Sequence, residues 1–244
     1  MKKIQLFVWP IFCLSLLIFC LGLSWQAHRA VNFAYPVWYK LLNIQQHVTE
    51  FAPKNNFNKH DFPVLDTTQH LQMFAQINQQ IHSDGTGLGS IKYINSQGSE
   101  QPLLTDSEII HLTDVSILIN TLSWLWLFNI IPLTVGGFVY YHQKIQQPAP
   151  KQQWQLLIIA TVIPVISVGV IGFTKIFYYL HQWVFPDNHQ WFFYYQDSLM
   201  STMMKAPDLF AAIGVTIVIV AVPIFMVAYS LIFSQTKEVP NASR

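Results

Sequence analysis

Apolar residues dominate four stretches of the chain, Ile4–Gln26, Ser116–Tyr141, Trp154–Leu180 and Leu209–Phe233. A bilayer core is crossed by about 20 helical residues rising 1.5 Å each, so each stretch is long enough to span. Each carries at most one formal charge, and that one, Lys175, lies near a span end from which a lysine can snorkel outward. Pro132, Pro164 and Pro223 fall inside spans, where neighbouring helices tolerate the lost hydrogen bond and a kink is expected. The pattern predicts an all-α membrane protein, a four-transmembrane-helix bundle with spans at 1–26, 116–141, 154–180 and 209–233. A small, mainly helical domain (27–115) lies between the first two spans and a second polar segment (181–208) between the last two. A short linker (142–153) and a tail (234–244) complete the chain.

Within 27–115, "FAYPVWYKLL" is expected to lie along the membrane interface, where Tyr and Trp are enriched. Asp66 suits the N-cap of a helix over Thr67–His82, whose Leu71, Phe74, Ile77 and Ile81 form one apolar stripe. "SDGTGLGS" superficially resembles a phosphate loop, but no strand precedes it and no Lys-Ser/Thr follows, so it reads as a flexible helix stop. "IKYINSQGSEQPLL" has the pattern of a small hairpin.

Charge sets the expected orientation. Lys2, Lys3, Lys144, Lys151, Lys237 and Arg244 flank the same side of the four spans, which puts both termini and the 142–153 linker in the cytoplasm. The first span mimics a signal peptide but is too long and lacks a small-x-small cleavage site, so it reads as an uncleaved anchor. Only 10% of residues are charged and the net charge is +1, which argues against nucleic acid as a partner. Cys13 and Cys20, seven positions apart on one helix, are about 10 Å apart along its axis and are read as apolar filler.

Candidate chemistry collects at the outer ends of the spans. In "TDSEIIHLTDV" (105–115), Thr105 and Glu108 form a capping box. Glu108, His111 and Asp114 recur every three residues, so they share one helix face. His181 ends the third span at the same depth, with Asp187 and Asp197 following in the same outer segment. Two histidines with carboxylates nearby could form a general acid/base site facing the outer leaflet; equally, an interfacial histidine can be a solvated bystander. His28, His47, His60, His70, His82 and His142 are assigned to the second class. No G-x-S-x-G or H-E-x-x-H motif is present. Neither a metal site at His111, Asp114 and His181 nor a haem is favoured, and no cofactor is expected. The methionines of "LMSTMM" read as packing or interface residues.

The two polar strings together resemble the lipoprotein intramolecular transacylase family of bacterial integral membrane proteins. "EIIHLTDV" matches an acid-x-x-His-apolar-x-Asp-Val motif through Glu108, His111, Asp114 and Val115. "HQWVFPDNHQW" and "QDSLM" match a second motif through His181, Phe185, Pro186, Asn188, Trp191, Asp197 and Leu199, and "APDLF" resembles the entry to the family's last span. Asp187 stands where glycine is usual, and residues 40–104 show no match.

The resemblance implies a bacterial inner-membrane, multi-pass enzyme with its site facing outward. It implies His111 and His181 as catalytic, Glu108, Asp114 and Asp197 as supporting, and Phe185, Asn188 and Trp191 as substrate-binding. The implied partners are membrane lipid and the N-terminus of a diacylated lipoprotein, whose sn-2 acyl chain moves to its own cysteine amine. An acyl hydrolase at the same histidines and a non-enzymatic envelope interaction protein are the alternative readings.

Overall fold

A computed structural model describes residues 2–143, 148–153, 155, 158, 159, 166 and 170–234. Most of the third predicted span and the tail from residue 235 lie outside the described residues. The chain is mostly helical. Three helical stretches among the described residues, Val8–Ala30, Asp106–Tyr140 and Asp208–Phe233, are long and apolar enough to cross a membrane.

The chain divides into two compact units: residues 1–23, 125–184 and 219–244 form one, residues 24–124 and 185–218 the other. The first is a helical packing unit. Helix α1 (Lys2–Ala30) contributes Trp9, Phe12, Leu16 and Cys20 to an apolar cluster with Tyr140, Ala221 and Phe233. Glycines leave room here for aromatic rings to seat directly against a helix backbone. A Cβ on Gly22 would lie 2.0 Å from the Trp126 indole nitrogen, and that N–H donates to the Phe19 carbonyl at 3.1 Å. Cys13 and Cys20 are both free thiols.

The second predicted span is not one continuous helix. It is α5 (Asp106–Phe128) followed by α6 (Ile130–Gln143), with the break at Asn129. Pro132 is the cause: it has no N–H for the Phe128 carbonyl four residues earlier. Asn129 uses the break, its side-chain amide donating to the Ser15 carbonyl at 2.8 Å. Within the predicted third span, Gly172 takes a left-handed φ of +87°, and α7 (Phe173–Val184) follows it.

The other unit holds the predicted outer domain. Its chain turns out of α1 through three consecutive left-handed residues, Asn32, Phe33 and Ala34. That conformation is costly for side chains with a Cβ. It is held by Asn78, whose amide donates to the Asn32 side chain at 2.7 Å and the Arg29 carbonyl at 3.2 Å, and by Phe33 packing on Trp25. Helix α2 (Tyr35–Leu41) is amphipathic. Tyr35 and Tyr39 are core residues while Val37 and Leu41 are exposed, so half of the aromatic stretch expected at the interface is spent on the core. Helix α3 (Ile44–Phe51) follows.

Helix α4 (Thr67–Ile81) ends within a residue of its predicted bound, and Asp66 caps it by accepting from the Gln69 N–H at 3.0 Å. "SDGTGLGS" is a packed turn, in which the Gly87 N–H donates to the Gln80 side chain and Ser116 of α5 donates to the Ser83 carbonyl. The hairpin is present as β1 (Lys92–Ile94) antiparallel to β2 (Glu100–Pro102), with Tyr93 opposite Gln101. Helix α8 (Leu199–Met204) is wholly buried, so "LMSTMM" is packing as expected. Helix α9 (Asp208–Ser234) closes the described chain.

Candidate active site

The N-terminus of α5 is assembled around one carboxylate. Glu108 is fully buried. One of its oxygens accepts from the Thr105 backbone N–H at 2.6 Å and the Thr105 hydroxyl at 2.9 Å, and the Glu108 N–H donates back to Thr105 Oγ1 at 3.4 Å. This is the expected capping box. The other oxygen accepts the Ser198 hydroxyl, and the same Ser198 oxygen N-caps α8 by accepting from the Ser201 N–H at 2.8 Å. One acid thus ties the starts of two helices that are 90 residues apart in sequence. Lys59 donates to the Leu103 carbonyl at 2.8 Å. Burial pulls its pKa below the ordinary lysine value, and attraction from Glu108 opposes that pull.

One turn further along α5, His111 is buried, 9% exposed, with the Phe185 ring centroid 5.0 Å and the Phe193 centroid 5.8 Å from its own. Another turn on, Asp114 faces His189: Nδ1 of the imidazole lies 2.7 Å from a carboxylate oxygen and donates to it. The loop between Phe185 and His189 therefore touches the face of α5 at two points, one aromatic and one charged. It is closed by the His189 N–H donating to the Pro186 carbonyl at 3.0 Å. No residue of this turn takes a positive φ, so Asp187 fits where a glycine is usual and no glycine is required.

The remaining predicted residues are placed differently. Asp197 accepts from the Asn56 amide at 2.7 Å, and the Asn56 N–H donates to the Gln196 carbonyl at 2.7 Å, so Asp197 anchors one loop to another. Asn188 is exposed; Trp191 is half-buried with its ring 6.1 Å from that of Phe192. His181 belongs to the other unit, near the end of α7, where its Nδ1 donates to the Phe177 carbonyl at 2.8 Å. That bond leaves the ring lone pair on Nε2, and burial holds its pKa below the ordinary histidine value. Among the described residues no group of three or more potential ligands could hold a metal ion.

Of the histidines assigned as bystanders, His70 is fully buried. Its Nε2–H donates to the Pro63 carbonyl at 3.1 Å, and the Tyr39 hydroxyl donates to its Nδ1 at 2.7 Å. Sequence reasoning singled out neither His189 nor Ser198 as site residues. Both stood in the quoted strings, but their partners are 75 and 90 residues away.

A family model described as lipoprotein intramolecular transacylase Lit matches residues 10–210. The chain belongs to this family. It is therefore an acyltransferase and a membrane protein. The membrane integral lipoprotein intramolecular transacylase Lit from Bacillus cereus has a similar fold. One of its structures gives a TM-score of 0.66 at 14% identity, covering 98% of this chain and 100% of that one. A variant of it with one histidine replaced by arginine gives 0.68 at 14% identity, covering 97% and 94%. None of the curated proteins compared matches the chain.

Proposed function

We propose that this chain moves the sn-2 acyl chain of an S-diacylglyceryl cysteine to that cysteine's own α-amino group, with His111 and His181 as general acid and base. The supporting observation is the meeting of the two motif segments on one face of α5, through Glu108 with Ser198, His111 with Phe185, and Asp114 with His189. Family membership gives the reaction class. An α-amine has a pKa of about 7.7–8.0, so it arrives mostly protonated at neutral pH and attacks only once deprotonated. As the freed amine attacks, a neutral imidazole is a suitable base for the proton the nitrogen then sheds, and the glyceryl oxygen needs a proton as it leaves. The amine is tethered close to the ester it attacks, so no protein nucleophile is required.

The four-span plan also belongs to this reading, with both termini cytoplasmic, residues 27–115 and 181–208 outside, and the site on the outer face of the bacterial inner membrane. Phe185, Asn188 and Trp191 would contact the lipid substrate. Incubating the purified protein with a diacylated lipopeptide tests the chemistry. Intramolecular transfer leaves the product mass unchanged, blocks the α-amine and removes one glyceryl ester. Gain or loss of one acyl mass in tandem mass spectra would sink it.

A further inference from the structure

The proton inventory of this reaction calls for two separate transfers. An ammonium and an ester become an amide, a hydroxyl and one released proton. One proton leaves the ammonium for solvent before attack, and a second passes from the attacking nitrogen to the leaving glyceryl oxygen. A pair of histidines working as base and acid accounts for the second transfer. The first needs a base that can reach both the substrate amine and water.

Resting on the transacylase reading, we propose that His189, oriented by Asp114, is the group that takes the ammonium proton and releases it to solvent. Asp114 stands one turn beyond His111 on the same face of α5, so a ring bound to it borders the ground in front of His111. The carboxylate is 15% exposed and the imidazole 31% exposed, whereas His111 is 9% exposed. Of these two rings, His189 is the one with an outlet to water. Its Nδ1–H donates to Asp114 at 2.7 Å, which puts the lone pair on Nε2 and fixes the ring's orientation. In the step itself an ammonium N–H bond breaks, an Nε2–H bond forms, and the positive charge moves onto a ring already beside a carboxylate. The charged and titratable groups of the two segments that meet here are Asp106, Glu108, His111 and Asp114 on α5, Asp187 in the turn, and Tyr194, Tyr195 and Asp197 beyond it, the last bound to Asn56. Of these, Glu108 is taken up by Thr105 and Ser198.

His189→Asn is the deciding variant, because its amide can still donate to Asp114 and hold the loop but cannot accept a proton. N-acylation of a diacylated lipopeptide is measured from pH 6.5 to 9 alongside the melting temperature. The expected result is a rate about 100-fold below the parent at pH 6.5, closing to within about threefold at pH 9, where the amine arrives neutral. Asp114→Asn keeps an acceptor for Nδ1–H and removes the charge, so it should lose about tenfold at pH 6.5 and recover likewise; its profile decides if His189→Asn does not fold. Parent-like rates at pH 6.5, or a deficit constant across the pH range, would overturn the proposal and leave His189 as a loop clasp. Failure of the parent itself to make N-acyl product at any pH would instead remove the transacylase reading, and this one with it.

Discussion

The two units of the chain bury different things. The cluster of the first is Trp9, Phe12, Leu16, Cys20, Tyr140, Ala221 and Phe233, and among its described residues Ser15 is buried alongside as a small polar residue. The second unit buries Glu108, His70, His111, Asn55, Asn78, Asn95, Ser198 and Thr202 within or beside a larger apolar core. Large apolar side chains such as Ile131, Val135, Phe138 and Leu231 stand exposed on the first unit. For a lipid-embedded helix unit such exposure carries no penalty. A buried polar group costs free energy wherever it is placed unless it is paired. In this protein polar burial distinguishes the two units better than apolar burial does.

The largest expected effect cuts across that contrast, with one residue from each unit. His111→Ala and His181→Ala should each lower N-acylation by 100-fold or more while the protein still extracts and elutes as a folded species. The double variant should be no worse than the poorer single one if the two rings serve one proton path. Near-parent turnover in either variant would remove that residue from the mechanism.

A paired substitution sharpens the contrast in stability. Glu108→Ala strands the Ser198 and Thr105 hydroxyls and the Thr105 N–H around an empty site. It should cost about 3–5 kcal/mol of fold stability, since each buried donor left unpaired costs about 1–3 kcal/mol and three are left. Gly22→Ala drives a methyl into the Trp126 ring and should cost about 1–3 kcal/mol, the range for overpacking. Thermal unfolding in detergent measures both. Equal shifts would erase the distinction between the two units.

The smallest effect is the pH dependence that His70 contributes to the second unit. Burial lowers the pKa of His70, so the folded state resists a proton that the unfolded chain accepts near pH 6.5. The unfolded state then binds more protons below that value, and stability falls as pH drops from about 6.5 toward the depressed folded value. It is flat above that window. The slope is at most about 1.4 kcal/mol per pH unit for one histidine. Melting temperatures at pH 7.5 and 5.5 should fall for the parent and fall less for His70→Gln; an identical fall would place the titration elsewhere.

Much of this was legible along the chain because it is local. A span needs only a run of apolar residues, the Asp66 cap and Thr105–Glu108 box close within three residues, and the Lys92–Pro102 hairpin folds on itself. The break at Asn129 follows from Pro132, although its place three residues upstream depends on helix geometry that hydropathy does not carry. The pairs Asp114–His189, Glu108–Ser198 and Asp197–Asn56 were not legible. Each joins residues 75 to 141 positions apart, and no periodicity connects them. Asp114 sits three residues from His111 on one helix face, yet the imidazole it holds is the one the loop brings to it.

The Thr105–Glu108 box has a consequence for how this segment can change length. A helix turns 100° per residue, and the cap fixes where that rotation begins. One residue inserted between Glu108 and His111 would swing His111 and Asp114 together by about 100° around the axis, off the loop that carries Phe185 and His189. The same insertion at the Ser96–Gly98 tip of the hairpin would turn nothing. The interval from residue 105 to 114 is thus a clock face whose zero is set by one buried acid, and its residue count is as constrained as its chemistry.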